Sequence, residues 1–278
     1  MTDLDKPTGL EPATASAAAP AKILGREPLR PPLSKRFFKT AEVSADSTPP
    51  FRVLLDGRPV RTPKKQLLSL PSRALAEAIA AEWAAQGGEI NPASMPLTRM
   101  ANTTLDGVVG HEQALRDDLA AFAMSDLVCY RAEGPGDLVA KQALAWGPVV
   151  AWAESAFGFH AVLAAGLMPV VQPEQNRDKV LGLLHRYTAF ELTPLHVMTT
   201  LTGSALLALA VAHGALDRDA AWTAAHVDED FQISQWGEDD EAIARRARRF
   251  AEMSAAHHML CSVLGHRSTS APLRTDFQ

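Results

Sequence analysis

The stretch DEDFQISQWGEDDEA, residues 228–242, sets seven acidic side chains and two large aromatics together without one basic residue. Carboxylates at this density suit three kinds of chemistry. With histidines they bind metal, in a pocket that shifts their pKa they move protons, and on a surface they meet the cations of another protein. His226 and Glu229 are three residues apart, so they share a face if the segment is helical. Glu252, His257 and His258 are further candidate ligands. A di-iron bundle needs Glu-x-x-His on two helices and two more carboxylates. Here the order is reversed and no second copy exists, so no metal site is expected. The acids are contiguous rather than convergent, which is the pattern of a solvated face. No catalytic residue and no cofactor are expected from them.

Other signatures are missing. The sequence has no GxxxxGK[ST] phosphate loop, no GxSxG elbow and no HExxH pair. GPGDLV (134–139) partly imitates a dinucleotide turn, but Val139 stands where close helix packing needs Gly or Ala. It reads as a loop with Asp137 capping the next helix. Cys129 and Cys261 belong to no CxxC pair and read as buried free thiols in a reducing compartment. A formal net charge of -5 argues against general affinity for nucleic acid. The RRARR run (245–249) follows the acidic stretch and reads as its counterweight on a helix.

The elements that must position these residues follow from periodicity. Residues 1–32, rich in Pro, Ala, Thr and charge, read as a disordered tail that lacks both a secretion signal and the acid-poor character of a transit peptide. The expected compartment is a bacterial cytoplasm, ahead of a mitochondrial matrix. Residues 33–105 read as a small α+β domain. FRVLLDGRPVRT (51–62) is a hairpin turning at Asp56-Gly57, and Ser72 caps a helix that Gly87 stops. Residues 106–265 read as an all-helical domain, and 266–278 as a frayed tail. The overall class is α+β. The uncharged run Leu192–Leu216 is long enough to cross a bilayer, but its histidines, hydroxyls, glycines and proline favour a buried core helix. No membrane insertion is expected.

Helical spacing puts Glu229, Gln232, Ile233, Trp236 and Asp240 on one face, with Asp228, Phe231 and Gln235 on an adjacent stripe. Were that face core, Glu229 and Gln232 would be buried polar groups needing partners; were it solvent, Trp236 would be out of place. Two readings stay open. The face is a protein-binding rim, or Trp236 and Phe231 pack into the core while the acids face water.

Four blocks in order carry a resemblance: FRVLLDGRPVRTPKKQLLSLPSRALAEAIAAEW, MPLTRMANTTLDGV, DLVCYRAEGPGDLVAKQALAWGPVVAW and DEDFQISQWG. Together, from about residue 33 to about 265, they resemble the alpha-subunit assembly chaperones of ATP synthase, also described as the mitochondrial F-one complex assembly factor two family, in an alphaproteobacterial form. The resemblance implies a small N-terminal α+β domain before a helical one, no enzymatic activity, and no cofactor. It implies that the chain, a monomer when free, binds the free alpha subunit of the catalytic head and prevents its aggregation until beta subunits displace it. The family's important acidic residue falls on Glu229 by motif, ahead of Gln232 and Trp236-Gly237, with Asp228 and Asp230 as neighbouring alternatives. The implied partner-binding set is thus Asp228, Glu229, Asp230, Gln232, Trp236 and Asp240. Trp83 matches a family position and reads as core packing; Arg99 and Arg131 read as structural ion partners. The rival functions are a small-ligand protein or enzyme using the helical domain as a pocket, and a general holdase.

Overall fold

The computed structural model describes residues 33–166 and 170–265. The tails expected at 1–32 and 266–278 lie outside the described residues, as do residues 167–169. From Ser34 onward the described residues form one compact unit.

Its first part runs β1 (Ser34–Lys35), β2 (Ala41–Val43), β3 (Phe51–Leu55), β4 (Arg58–Pro59), β5 (Ser69–Leu70), α1 (Arg73–Ala84) and β6 (Glu89–Ile90). The expected hairpin is present. Asp56 and Gly57 both take positive φ, at 47° and 79°, as a type I′ turn requires, and Leu55 pairs with Arg58 across it. β3 is central, pairing with β2 on one side and with β4 and β5 on the other. Phe51, Val53 and Leu55 alternate inward, toward the face of α1 that buries Leu75, Ala76 and Ile79. Ser72 caps α1, its Oγ accepting from the Leu75 amide at 3.2 Å. The helix stops at Ala84, short of Gly87, where the buried Gln86 side chain takes over: it donates to the Glu82 carbonyl and accepts from the Asn91 amide.

α2 (Pro96–Thr103) passes into a single π-helical turn at Thr104–Val108. Glu82 of α1 caps α2, accepting from the amides of Leu97 and Thr98 at 2.7 and 2.8 Å and from the Thr98 hydroxyl. Burial nevertheless raises its pKa. The chain then runs through α3 (Glu112–Met124), β7 (Tyr130–Arg131), α4 (Gly136–Phe157), β8 (Ala164–Ala165, parallel to β7), α5 (Glu174–Leu184), α6 (Ala189–Thr202), α7 (Ala205–Ala212), α8 (Arg218–Ala225), α9 (Val227–Trp236) and α10 (Asp240–Leu264). A small β-containing region followed by a larger helical one is the expected α+β class.

Three local expectations are corrected. The apolar run 192–216 is not one helix. Gly203 takes φ 71° and ends α6, and the Ser204 hydroxyl starts α7 by accepting from the Leu207 amide. No helix among the described residues is long and apolar enough to cross a membrane. Asp137 lies inside the first turn of α4 rather than capping it, because the helix already begins at Gly136. Cys261 is exposed on α10, whereas Cys129 is buried and its thiol is pushed up to about 12 by burial.

α6 is the centre of the helical part, packed between α7 and α10. α7 is buried from Ala205 to Val211, which explains why its sequence shows no polar face. α10 also reaches α1 and α2, where Glu252 pairs with Arg99. Arg131 instead donates to the Gln142 carbonyl and lies over the Trp146 ring.

Candidate functional site

The acidic stretch covers two successive helix N-termini. Asp228, Glu229 and Asp230 fill the first turn of α9. Gly237 then breaks the chain, Asp239 caps α10 by accepting from the Ala242 amide, and Asp240 and Glu241 fill the next first turn. Unpaired amides and the aligned peptide dipoles make each start electropositive, so both favour acids. Asp240 therefore does not continue the face of Glu229 and Trp236: the helix that would carry it there ends at Trp236.

The three adjacent acids of α9 meet different surroundings. Asp228 accepts from the side-chain amide of Gln142 on α4 at 2.6 Å. Asp230 forms an ion pair with Arg246 of α10 and raises the guanidinium pKa. Glu229 has no such tie. Its side chain is 59 % exposed, and the nearest basic group is the Nε2 of His226 at 3.9 Å. That imidazole is buried, and burial lowers its pKa. Its Nδ1 lies 2.7 Å from the Trp222 carbonyl, which only accepts, so Nδ1 carries the proton. Nε2 is then the nitrogen turned toward Glu229, and it pairs with the carboxylate only when the ring is protonated, which burial disfavours.

The two aromatics separate in the same way. Phe231 is half-buried beneath the Lys141 ammonium, 5.4 Å from the ring centre. Trp236 is 89 % exposed, so it does not pack into the core of this chain. Glu229, Gln232 and Trp236 stand together on the outer side of α9, all exposed.

A shallow depression of about 440 Å³ opens beside Glu229, with Leu127, Tyr130, Leu201, Gly203 and Arg249 in its lining. Asp126 holds its two walls together. This carboxylate is fully buried and accepts from the Val128 amide on one wall and, at 2.9 Å, from the Leu206 amide at the start of α7. Burial pushes its pKa up to about 6 against those hydrogen bonds. Trp83 is half-buried and stacks edge-on against Phe38.

The opposite side of α9 borders an apolar groove of about 450 Å³ between α4, α8 and α9, lined by Leu144, Pro148, Leu216, Val227 and Phe231. Leu144 is 58 % exposed there. Pro148 lies within α4 and has no N–H, so the Leu144 carbonyl has no donor in the helix ladder. The groove was not foreseen, since its residues come from three helices; a proline inside a helical pattern was the one local sign. Gln142 was also missed, having no local signature of a partner 86 residues away.

Among the described residues, no group of three or more His, Cys, Asp or Glu could hold a metal ion. What the geometry offers is a carboxylate, an amide and an indole on one open helix face, between a shallow depression and an apolar groove. Comparison with known proteins gives this surface a setting. The profile of the ATP12 chaperone protein family matches residues 35–154. The solved protein Atu1473 from Agrobacterium tumefaciens is 46 % identical, with a TM-score of 0.80, over 83 % of this chain and 87 % of that one. Atp12 from Paracoccus denitrificans is 37 % identical, with a TM-score of 0.78, over 83 % of this chain and 98 % of that one. The chain belongs to the ATP12 chaperone family. An aspartate-to-lysine mutant of the same Paracoccus protein matches with a TM-score of 0.77 and the same identity and coverage. Within this ATP12-family chain the profile match ends inside α4, while the structural matches extend over most of the described fold.

Proposed function

We propose that this chain is an assembly chaperone that binds the free alpha subunit of the ATP synthase catalytic head and keeps it from aggregating until beta subunits displace it. One observation carries the reading. Glu229, Gln232 and Trp236 occupy a single exposed face that the fold itself leaves unused, while the acids on either side of Glu229 are tied to α4 and α10. An unassembled subunit exposes apolar surface meant for its neighbour, and such patches associate wrongly. Tryptophan is a frequent interface anchor, and a carboxylate beside it pairs with arginine or lysine on the partner. Membership of a chaperone family supports the same reading and a non-enzymatic role, in the bacterial cytoplasm where the subunit is made.

The test is light scattering of purified alpha subunit diluted from denaturant. Wild-type chain at equimolar ratio suppresses aggregation, and folded Glu229→Lys does not. Undiminished suppression by that variant removes Glu229 from the site. Equal suppression for unrelated denatured proteins replaces the dedicated chaperone with a general holdase.

A further inference from the structure

The N-terminal region carries a second hollow, of about 560 Å³, formed by Phe37 and Phe38, the β3–β4 hairpin and Trp83 of α1. Two features set it apart from an ordinary surface dimple. Phe37 is 72 % exposed, although its neighbour Phe38 is buried and touches both Phe37 and Trp83 edge-on, at 5.5 and 5.6 Å between ring centres. The charge around the rim is one-sided. Its single acid, Asp56, is already committed to the amides of Lys39 and Thr40, and those hydrogen bonds lower its pKa. Its two guanidiniums are not balanced by any carboxylate: Arg61 donates only to the Lys65 carbonyl, and Arg58 has no side-chain partner among the described residues.

The hollow therefore offers an aromatic floor and two uncompensated positive charges. Exposed aromatic surface is a cost that an occupant relieves. The complementary occupant is a peptide segment that carries carboxylates around an aromatic or aliphatic side chain. We propose that this hollow is a second docking site of the chaperone and takes an acidic, apolar segment of its client. The inference rests on the client proposed above.

The experiment places the photo-crosslinking amino acid p-benzoylphenylalanine at position 37 of the full chain, mixes it with purified alpha subunit, and maps crosslinks by mass spectrometry. Crosslinks into an acid-rich segment of the subunit are expected. The double variant Phe37→Ser, Arg58→Glu should bind the subunit about 10- to 100-fold more weakly, with unchanged thermal midpoint since both side chains are exposed, and Arg58→Lys should restore part of the loss. Undiminished binding by the folded double variant overturns the proposal. So do crosslinks confined to a basic segment, to residues 1–32 of the same chain, or to a second copy. A wild-type chain that binds no alpha subunit at all overturns the proposed function and this site with it, so the two failures are distinct.

Discussion

The amide of Gln142 on α4 donates to Asp228 Oδ1 on α9 across 2.6 Å, while the next residue, Glu229, turns its carboxylate to solvent. Gln142 is 2 % exposed, so its amide cannot recover water if Asp228 is lost. An unpaired buried donor costs about 1–3 kcal/mol, and Asp228→Ala should destabilise the protein by that order in urea titration. Glu229→Lys removes no hydrogen bond. It sets a cation in the first turn of α9, which costs about 0.3–1 kcal/mol against the helix dipole. The expected result is two neighbouring acids with opposite phenotypes. Asp228 variants lose stability, and Glu229 variants lose client protection. Equal destabilisation by both would remove the distinction.

Trp236 and Trp146 provide a second contrast. Trp146 is 1 % exposed and its indole N–H donates to the Ala224 carbonyl at 2.6 Å. Trp146→Ala should cost about 3–5 kcal/mol, the usual range for emptying a buried aromatic site. Trp236→Ala should change stability by no more than about 0.5 kcal/mol, because the side chain makes no core contact to lose. If Trp236 is an interface anchor, the same substitution weakens alpha-subunit binding by about 2 kcal/mol or more. Isothermal titration beside urea denaturation reads both numbers.

How much of this was legible in the sequence depends on the range of the interaction involved. The turn at Asp56-Gly57 and the cap at Ser72 are local, set by residues that tolerate positive φ or offer an oxygen to a nearby amide, and both were read correctly. The membership of Glu229, Gln232 and Trp236 in one face was also legible, since it needs only the helical period. Whether that face is covered was not, because coverage depends on which helices arrive from elsewhere. Extending the face to Asp240 ignored the stop at Gly237, and joining 192–216 into one helix passed over Gly203. In both cases apolar or acidic composition outweighed a single glycine. The ties from Gln142 and Asp126 join segments about eighty residues apart and have no local counterpart at all.

Asp126 should leave a mark on the pH dependence of stability. Its carboxyl has an ordinary value of 3.8 and is pushed up to about 6 by burial. The folded state therefore holds a proton that the unfolded chain has already released, and between these values folding is coupled to proton uptake. Stability from this group falls as pH rises from about 4 to about 6 and is level above that, by a total on the order of 3 kcal/mol. Glu82, also raised by burial, acts in the same direction. Asp126→Asn removes the Asp126 part of the slope. Denaturant midpoints of both proteins at half-unit steps from pH 4 to 7 give the difference curve. A flat curve means that the hydrogen bonds from Val128 and Leu206 fully offset burial.

Pro148 should be a stability defect that the protein retains. It sits in the middle of α4, thirteenth of 22 residues, where it removes the donor owed to the Leu144 carbonyl. An interior proline costs a helix about 3 kcal/mol relative to alanine. Against this, its ring is half-buried and lines the apolar groove, so replacing it gives up some packing. The first effect is larger, and Pro148→Ala should stabilise the chain by about 1–3 kcal/mol, seen as a higher urea midpoint with an unchanged slope. Restoring the hydrogen bond also takes away the bare carbonyl and reshapes the wall beside Leu144. A more stable variant that protects the alpha subunit less well assigns the groove to the client surface, whereas one with full activity leaves it a feature of the fold. A destabilised Pro148→Ala would show that α4 packs on its neighbours only in the shape the proline imposes.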